Sequence, residues 1–160
     1  MPIYMRITKN GLPVINGDAT AKGHEKWIEL SSAQMGQSRS MVDTNSGNTG
    51  EASSSRISEI VITKALDSAS TALFRQSLNG EGVTIQIDFV KPGSTTLSLM
   101  LENALISGYQ VGGNRPGSTE SLTLNFTKIT FIDYAGPDVS HQAKVRMMAL
   151  GFRPTPFGKP

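Results

Sequence analysis

Residues 83–101, VTIQIDFVKPGSTTLSLML, decide the fold. Val83, Ile85, Ile87 and Phe89 alternate with Thr84, Gln86 and Asp88, a period of two with β-branched residues on the apolar side. After the turn dipeptide Pro92-Gly93 the same period returns in Leu97, Leu99 and Leu101. These are two strands, each with one apolar and one polar face, joined by a tight turn.

Working outward, residues 121–126 alternate through Leu122, Leu124 and Phe126, and the parity then reverses at Ile129 and Phe131. A one-residue slip moves every side chain to the other face, so a bulge is expected near Thr127–Lys128. Further strands are expected at 3–8, 25–35 and 56–66. Asn10-Gly11, Asn16-Gly17 and the run GGNRPGS at 112–118 are turn signals between them. Only residues 67–80 read as helix, with its body at 69–79. Asp67 or Ser68 is placed to cap its start, Leu73, Phe74 and Leu78 share the face turned to the sheet, and Gly80 suits a left-handed end. Many strands with one short amphipathic helix predict an all-β barrel or sandwich with a helical appendage.

The stretch 36–58, GQSRSMVDTNSGNTGEASSSRIS, contains only Met41, Val42, Ala52 and Ile57 as apolar residues. It is too polar to pack on its own domain, and it is expected to be a loop too long for a simple hairpin. Composition leaves both a flexible linker and a partner-seeking arm open, and the adjacent pair Met41-Val42 favours the arm.

The chain has 160 residues, 38% hydrophobic and 18% charged, which fits one domain with a real core and excludes a disordered chain. No apolar run approaches the roughly 18–20 residues that cross a bilayer. The start, MPIYMRITKN, has no basic segment followed by an apolar one, so synthesis in the cytoplasm is expected, with any export by a route that needs no cleaved signal peptide. The absence of cysteine removes disulfides, thiol nucleophiles and thiolate metal sites. Net charge is +2, but Lys144, Arg146, Arg153 and Lys159 lie beyond Asp138 where there is no acid, so a near-neutral body carries a basic terminal segment, 139–160. Four solvated charges suffice to explain it without a nucleic-acid partner.

Apparent active sites dissolve one by one. GGNRPGST at 112–119 has the glycine spacing of a phosphate-binding loop, but Ser118 stands where the lysine must reach the phosphates, so a hairpin turn is expected. His24-Glu25 is followed by Trp27 and Ile28 with no second histidine, so His24 reads as a turn or surface residue. His141, Asp138 and Ser140 have the residue types of a triad but sit in a polar terminal segment with little to hold them. Asp88, Glu102 and Asp133 alternate with apolar residues and are expected on the outward face of a sheet. Trp27 precedes Ile28, Glu29 and Leu30, so the aromatic–basic interleaving of a nucleic-acid platform is missing. The expectation is a protein of surfaces: no enzyme, no cofactor, no metal, no nucleic acid and no membrane insertion.

Three stretches together resemble the hemolysin-coregulated protein (Hcp) family, the inner-tube subunits of type VI secretion systems. GHEKWIEL at 23–30 is similar to the family's His-x-x-Trp-Ile segment. SEIVITKALDSASTALFRQSLNGEG at 58–82 resembles its strand, Lys-x-Leu-Asp turn and only substantial helix. LENALISGYQVGGNRPGSTESLTLNFTKITFIDY at 101–134 resembles its most characteristic run. The likeness covers about 3–135 and makes 1–138 the Hcp-like domain. Beyond it, SHQAKVRMMALGFRPTPFGKP departs from the family's closing strand.

The resemblance implies a two-sheet β-barrel with one short helix and a protruding loop, assembling as a homohexameric ring. Rings stack into a tube that a contracting sheath expels with a spike, carrying effectors in its lumen, so the protein would be assembled in the cytoplasm and then secreted. It also implies that the loop at 36–58 touches the neighbouring ring, with Arg39, Ser40, Met41, Val42 and Asp43 near its tip. A small-ligand-binding β-barrel and a phage-type tail tube subunit are the competing readings.

Overall fold

A computed structural model of the chain describes residues 1–40, 54–92, 94–114, 117–134 and 145–151; for 36–40, 54–58, 114 and 145–151 the description is of the backbone. Ten strands and one helix follow in the order β1 (Ile3–Lys9), β2 (Leu12–Ile15), β3 (Ile28–Leu30), β4 (Ser32–Ser40), β5 (Ser54–Ala65), α1 (Ser70–Asn79), β6 (Val83–Lys91), β7 (Ser94–Asn114), β8 (Gly117–Asn125), β9 (Lys128–Tyr134) and β10 (Val145–Gly151).

The pairing is antiparallel and runs β2-β1-β6-β7-β8-β5-β4, with β3 also on β1, β9 also on β7 and β10 on β9. The 83–101 hairpin is its centre: Ile85 pairs with Leu101, Ile87 with Leu99 and Phe89 with Leu97. Two sheets result because β7 belongs to both. Its first half lies between β6 and β9, and its second half, Leu105–Asn114, pairs with β8. At the corner the register slips and Asn103 takes a positive φ of 53°, a left-handed residue that turns the strand from one sheet into the other. The parity reversal near Thr127 lies beside this corner. It is not a bulge within one strand but the break where β8 ends in one sheet and β9 begins in the other, and the Thr127 N–H donates to Glu102 O at 3.1 Å.

The pairing does not close into a ring among the described residues. The expected segment 25–35 is split at Ser31: β3 pairs with β1 in one sheet and β4 with β5 in the other. The chain itself bridges the gap there, and Ser31 N–H donates to Thr63 O at 2.8 Å. Between the sheets Met5, Ile7, Ile28, Ile60, Ile62, Ile85, Ile87, Leu101, Leu122 and Leu124 are fully buried, so side chains fill the interior.

Local chemistry explains the turns. Asn10 (φ 54°) and Gly11 (φ 80°) both take positive φ between paired Lys9 and Leu12, the conformation a two-residue hairpin turn demands. A Cβ on Gly17 would stand 2.5 Å from Trp27 O, so glycine lets the 16–27 segment lie close against β3. On either side of the turn in GGNRPGS, β7 and β8 pair down to Asn114 and Gly117.

One expectation about the helix holds and two fail. Asp67 caps its start: Oδ1 accepts from Ala69 N–H at 2.9 Å, and Ala69 is itself already helical (φ −84°, ψ −11°). Gly80 is extended (φ −76°, ψ 151°), not left-handed. Leu73 is fully buried, but Phe74 is 47% exposed and Leu78 68%, because the helix meets the sheet through Ala69, Ala72 and Leu73. At the other end of the chain, residues 145–151 form β10 although they depart from the family pattern. Val145, Met147 and Ala149 share one parity while Met148 and Leu150 take the other, so no period of two announces this strand.

Candidate functional site

The segment singled out by composition is partly strand. β4 reaches Ser40, β5 starts at Ser54, and Gln37↔Ile57, Ser38↔Arg56, Arg39↔Ser55 and Ser40↔Ser54 are paired. The expected loop is therefore a hairpin arm, with a bulge between Met35 and Gln37 at its root. The pairing of β5 with β8 ends at Ile60↔Leu124, so beyond that point the arm is two strands wide among the described residues. Arg39 and Ser40 lie on its β4 side; Met41, Val42 and Asp43 fall outside the described residues. The arm forms because polar, hydroxyl-rich strands can still complete a backbone ladder.

The second feature is a buried polar cluster between α1 and the sheet. Ile60 and Ile62 on β5 turn inward, and so does Lys64; Leu122 and Leu124 on β8 turn inward, and so does Glu120. The register places Lys64 opposite Glu120. Their side chains are fully buried with Nζ and Oε2 2.8 Å apart. Lys64 Nζ also donates to Asp67 Oδ1 at 2.8 Å and Ala65 O at 2.9 Å. Glu120 accepts from Ser70 Oγ on α1 and, at 2.8 Å, from Tyr109 Oη on β7. Burial alone would raise the Glu120 carboxyl, but hydrogen bonds from Lys64, Ser70 and Tyr109 and the lysine charge together hold it below the usual carboxylate range. Burial, then the hydrogen bond and charge of Glu120, push Tyr109 up to about 12.

A third cluster lies on the opposite face of the first sheet. Tyr4, Asp88 and Ser98 are paired in one row across β1, β6 and β7. The 16–27 segment covers that row, contributing Ala19, His24 and Trp27. His24 is not a surface residue: it stacks on Tyr4 at 4.8 Å, meets Trp27 edge-on at 4.5 Å, and its Nε2 donates to Asp88 Oδ2 at 2.8 Å. Asp88 is likewise buried rather than solvated, and its Oδ1 accepts from Ser98 Oγ at 2.6 Å and Gln86 Nε2 at 3.0 Å. Serine and histidine both bind the carboxylate, so the base-to-nucleophile contact of an acyl-transfer triad is not what this row provides. Its chemistry is satisfaction of a buried acid. Glu102 and Asp133 are exposed, as expected on outward faces, and His141, Asp138 and Ser140 fall outside the described residues.

The sequence held a signal for Lys64 and Glu120 that went unread: each continues the inward parity of two apolar residues on its strand. His24 and Asp88 had none, because a period of two cannot show that a distant segment folds over the polar face. Exposed apolar side chains among the described residues include Phe74 and Leu78 on α1, Leu12 and Val14 on β2, and Val61, Leu66, Leu105 and Val111; Phe74, Tyr109 and Val111 line one shallow hollow. Phe74 lies against Tyr109 with ring centroids 5.3 Å apart. No helix among the described residues is long and apolar enough to cross a membrane.

Comparison with known proteins gives one family and one fold. The family described as "Type VI secretion system effector, Hcp" matches residues 4–132. Similar solved structures include the Hcp1 protein of E. coli EAEC 042, in a mutant form (TM-score 0.73, 18% identity, covering 93% of this chain and 99% of that one). A type VI secretion system effector from Yersinia pestis is also similar (TM-score 0.70, 16% identity, covering 93% and 98%). So is Hcp1 from Salmonella typhimurium (TM-score 0.71, 16% identity, covering 95% and 96%). No curated protein sequence matches the chain.

Proposed function

This chain belongs to the Hcp family of type VI secretion proteins, and we propose that it is a tube subunit that forms homohexameric rings, which stack through the β4–β5 arm. The observation that carries this reading is the arm itself, a ladder two strands wide that runs beyond the last contact of β5 with β8. An isolated two-stranded ladder is at best marginally stable in water, so an arm of this kind gains most from a surface it can rest on. Stacked rings supply one. Arg39, Ser40, Met41, Val42 and Asp43 make the inter-ring contact, with Met41 and Val42 as the apolar anchor and the two charges fixing register.

Ring closure uses the sheet edges. Among the described residues β2 and β4 end the strand order and β10 pairs only with β9. An unpaired edge invites another chain, and a symmetric ring satisfies it with a copy of the same chain. The tube works mechanically, without covalent chemistry: a contracting sheath drives it out with a spike, and effector proteins travel in its lumen. The filled core argues against the competing small-ligand barrel.

The test is electron microscopy of the purified protein beside the double variant Met41→Asp with Val42→Asp. Stacked rings for the parent and single rings for the variant are expected. Equal stacking by both removes the arm from the account, and monomers alone remove the ring.

A further inference from the structure

Helix α1 has little of its own to keep it in place. At ten residues it is shorter than the ~12–15 that hold an isolated helix in water. Its start is capped by Asp67, itself part of the polar cluster, and it has no acid in its first turn and no base in its last. Its apolar hold is limited to Ala69 and Leu73, with Ala72 partly buried, since Phe74 and Leu78 are exposed. What remains is the polar cluster, and its bonds converge on a single carboxylate. Ser70, in the first turn of α1, and Tyr109, against which Phe74 rests, both donate to Glu120, as does Lys64.

We infer that this cluster is an acid-opened latch: protonation of Glu120 frees α1 from the sheet while the two sheets stay folded. The protonated acid has lost its charge and carries a proton of its own among three donors. Lys64, fully buried, is then left with Asp67 as its only anionic partner in the cluster. An ammonium in that position is costly, and the cheapest relief is to let in water by moving the element with the weakest hold, α1. The titratable groups bonded within the cluster are Lys64 from β5, Asp67 from the β5–α1 connection and Tyr109 from β7, with the neutral Ser70 from α1. Asp18 is tied to Ser68 beyond them.

The sign follows from the direction of the Glu120 shift. A carboxyl held below its ordinary 4.5 stabilises the docked helix above that value, and the contribution is lost as pH falls through the lowered one. Asp88, which also collects donors, lies on the other sheet under the 16–27 segment, so changes at Glu120 separate the two.

Amide hydrogen exchange on the protein as purified, corrected for intrinsic rates, between pH 7 and pH 3 tests the latch. In the parent, amides of 73–79 should lose at least tenfold in protection on acidification before those of β6 do. Glu120→Gln should show the loss already at pH 7. Lys64→Met with Glu120→Leu, an apolar replacement of the pair, should keep α1 protection flat with pH. Joint loss in α1 and β6 in the parent, or an undiminished acid response in the double variant, overturns the latch. Should Glu120→Gln fail to fold, the double variant against the parent decides alone.

Discussion

Strand β5 leads two different lives along its length. From Ile60 to Thr63 it is flanked by β4 and β8, with β8 continuing along Lys64 and Ala65, and Ile60, Ile62 and Lys64 are buried. From Ser54 to Ile57 it pairs, among the described residues, with β4 alone. The backbone bonding is of the same kind in both halves. What differs is the strand pairing around it: the inner half also pairs with β8 and sends Ile60, Ile62 and Lys64 into the domain's own core, whereas the arm is paired across β4 and β5 among the described residues. Under the proposed function, the neighbouring ring meets that outer half.

Substitutions should therefore have opposite consequences in the two halves. The largest effect on folding is expected at Lys64→Ala, which leaves Glu120 buried without its cation and should cost about 3–5 kcal/mol. Chemical denaturation measures it, and a cost under about 1 kcal/mol would mean that water reaches the pair. Leu122→Ala, in the strand beside β5, should cost about 2–5 kcal/mol by cavity formation. The two mutants separate polar from apolar support for the same half.

Phe74→Ala should cost only about 0.5–1.5 kcal/mol, the scale of an aromatic contact with Tyr109, because the ring is half exposed. A loss as large as that of Leu122→Ala would place Phe74 in the core after all. Smallest of all for folding is Met41→Asp with Val42→Asp in the arm. Its denaturation midpoint should match the parent within about 0.5 kcal/mol, while stacking of rings falls. A fold weakened as much as by Lys64→Ala would end the distinction between the halves.

These contrasts also explain how much the sequence revealed. The 83–101 hairpin was legible because β6 and β7 bury one face and keep the other polar, so the period is clean. The arm was legible as an anomaly of composition but not as a ladder, since strands such as Ser54–Ser55 carry no apolar alternation. Lys64 and Glu120 were hidden by type: charged residues near strand ends are ordinarily solvated, and only their shared parity with Ile62 and Leu122 marks them. The helix face was misjudged because α1 docks partly through Ser70, a polar contact that an apolar stripe cannot announce. His24 became interior only when residues 16–27 closed over Tyr4 and Asp88, a tertiary event without local trace.

The central claim is that this chain is a ring-forming subunit whose arm serves stacking. Light scattering on the size-fractionated protein at micromolar concentration and moderate salt tests it most directly. The account predicts a particle of six subunits of 17.1 kDa each, together with larger stacked species that disappear in the Met41→Asp with Val42→Asp variant. A single species with the mass of one chain, unchanged by concentration, would contradict it.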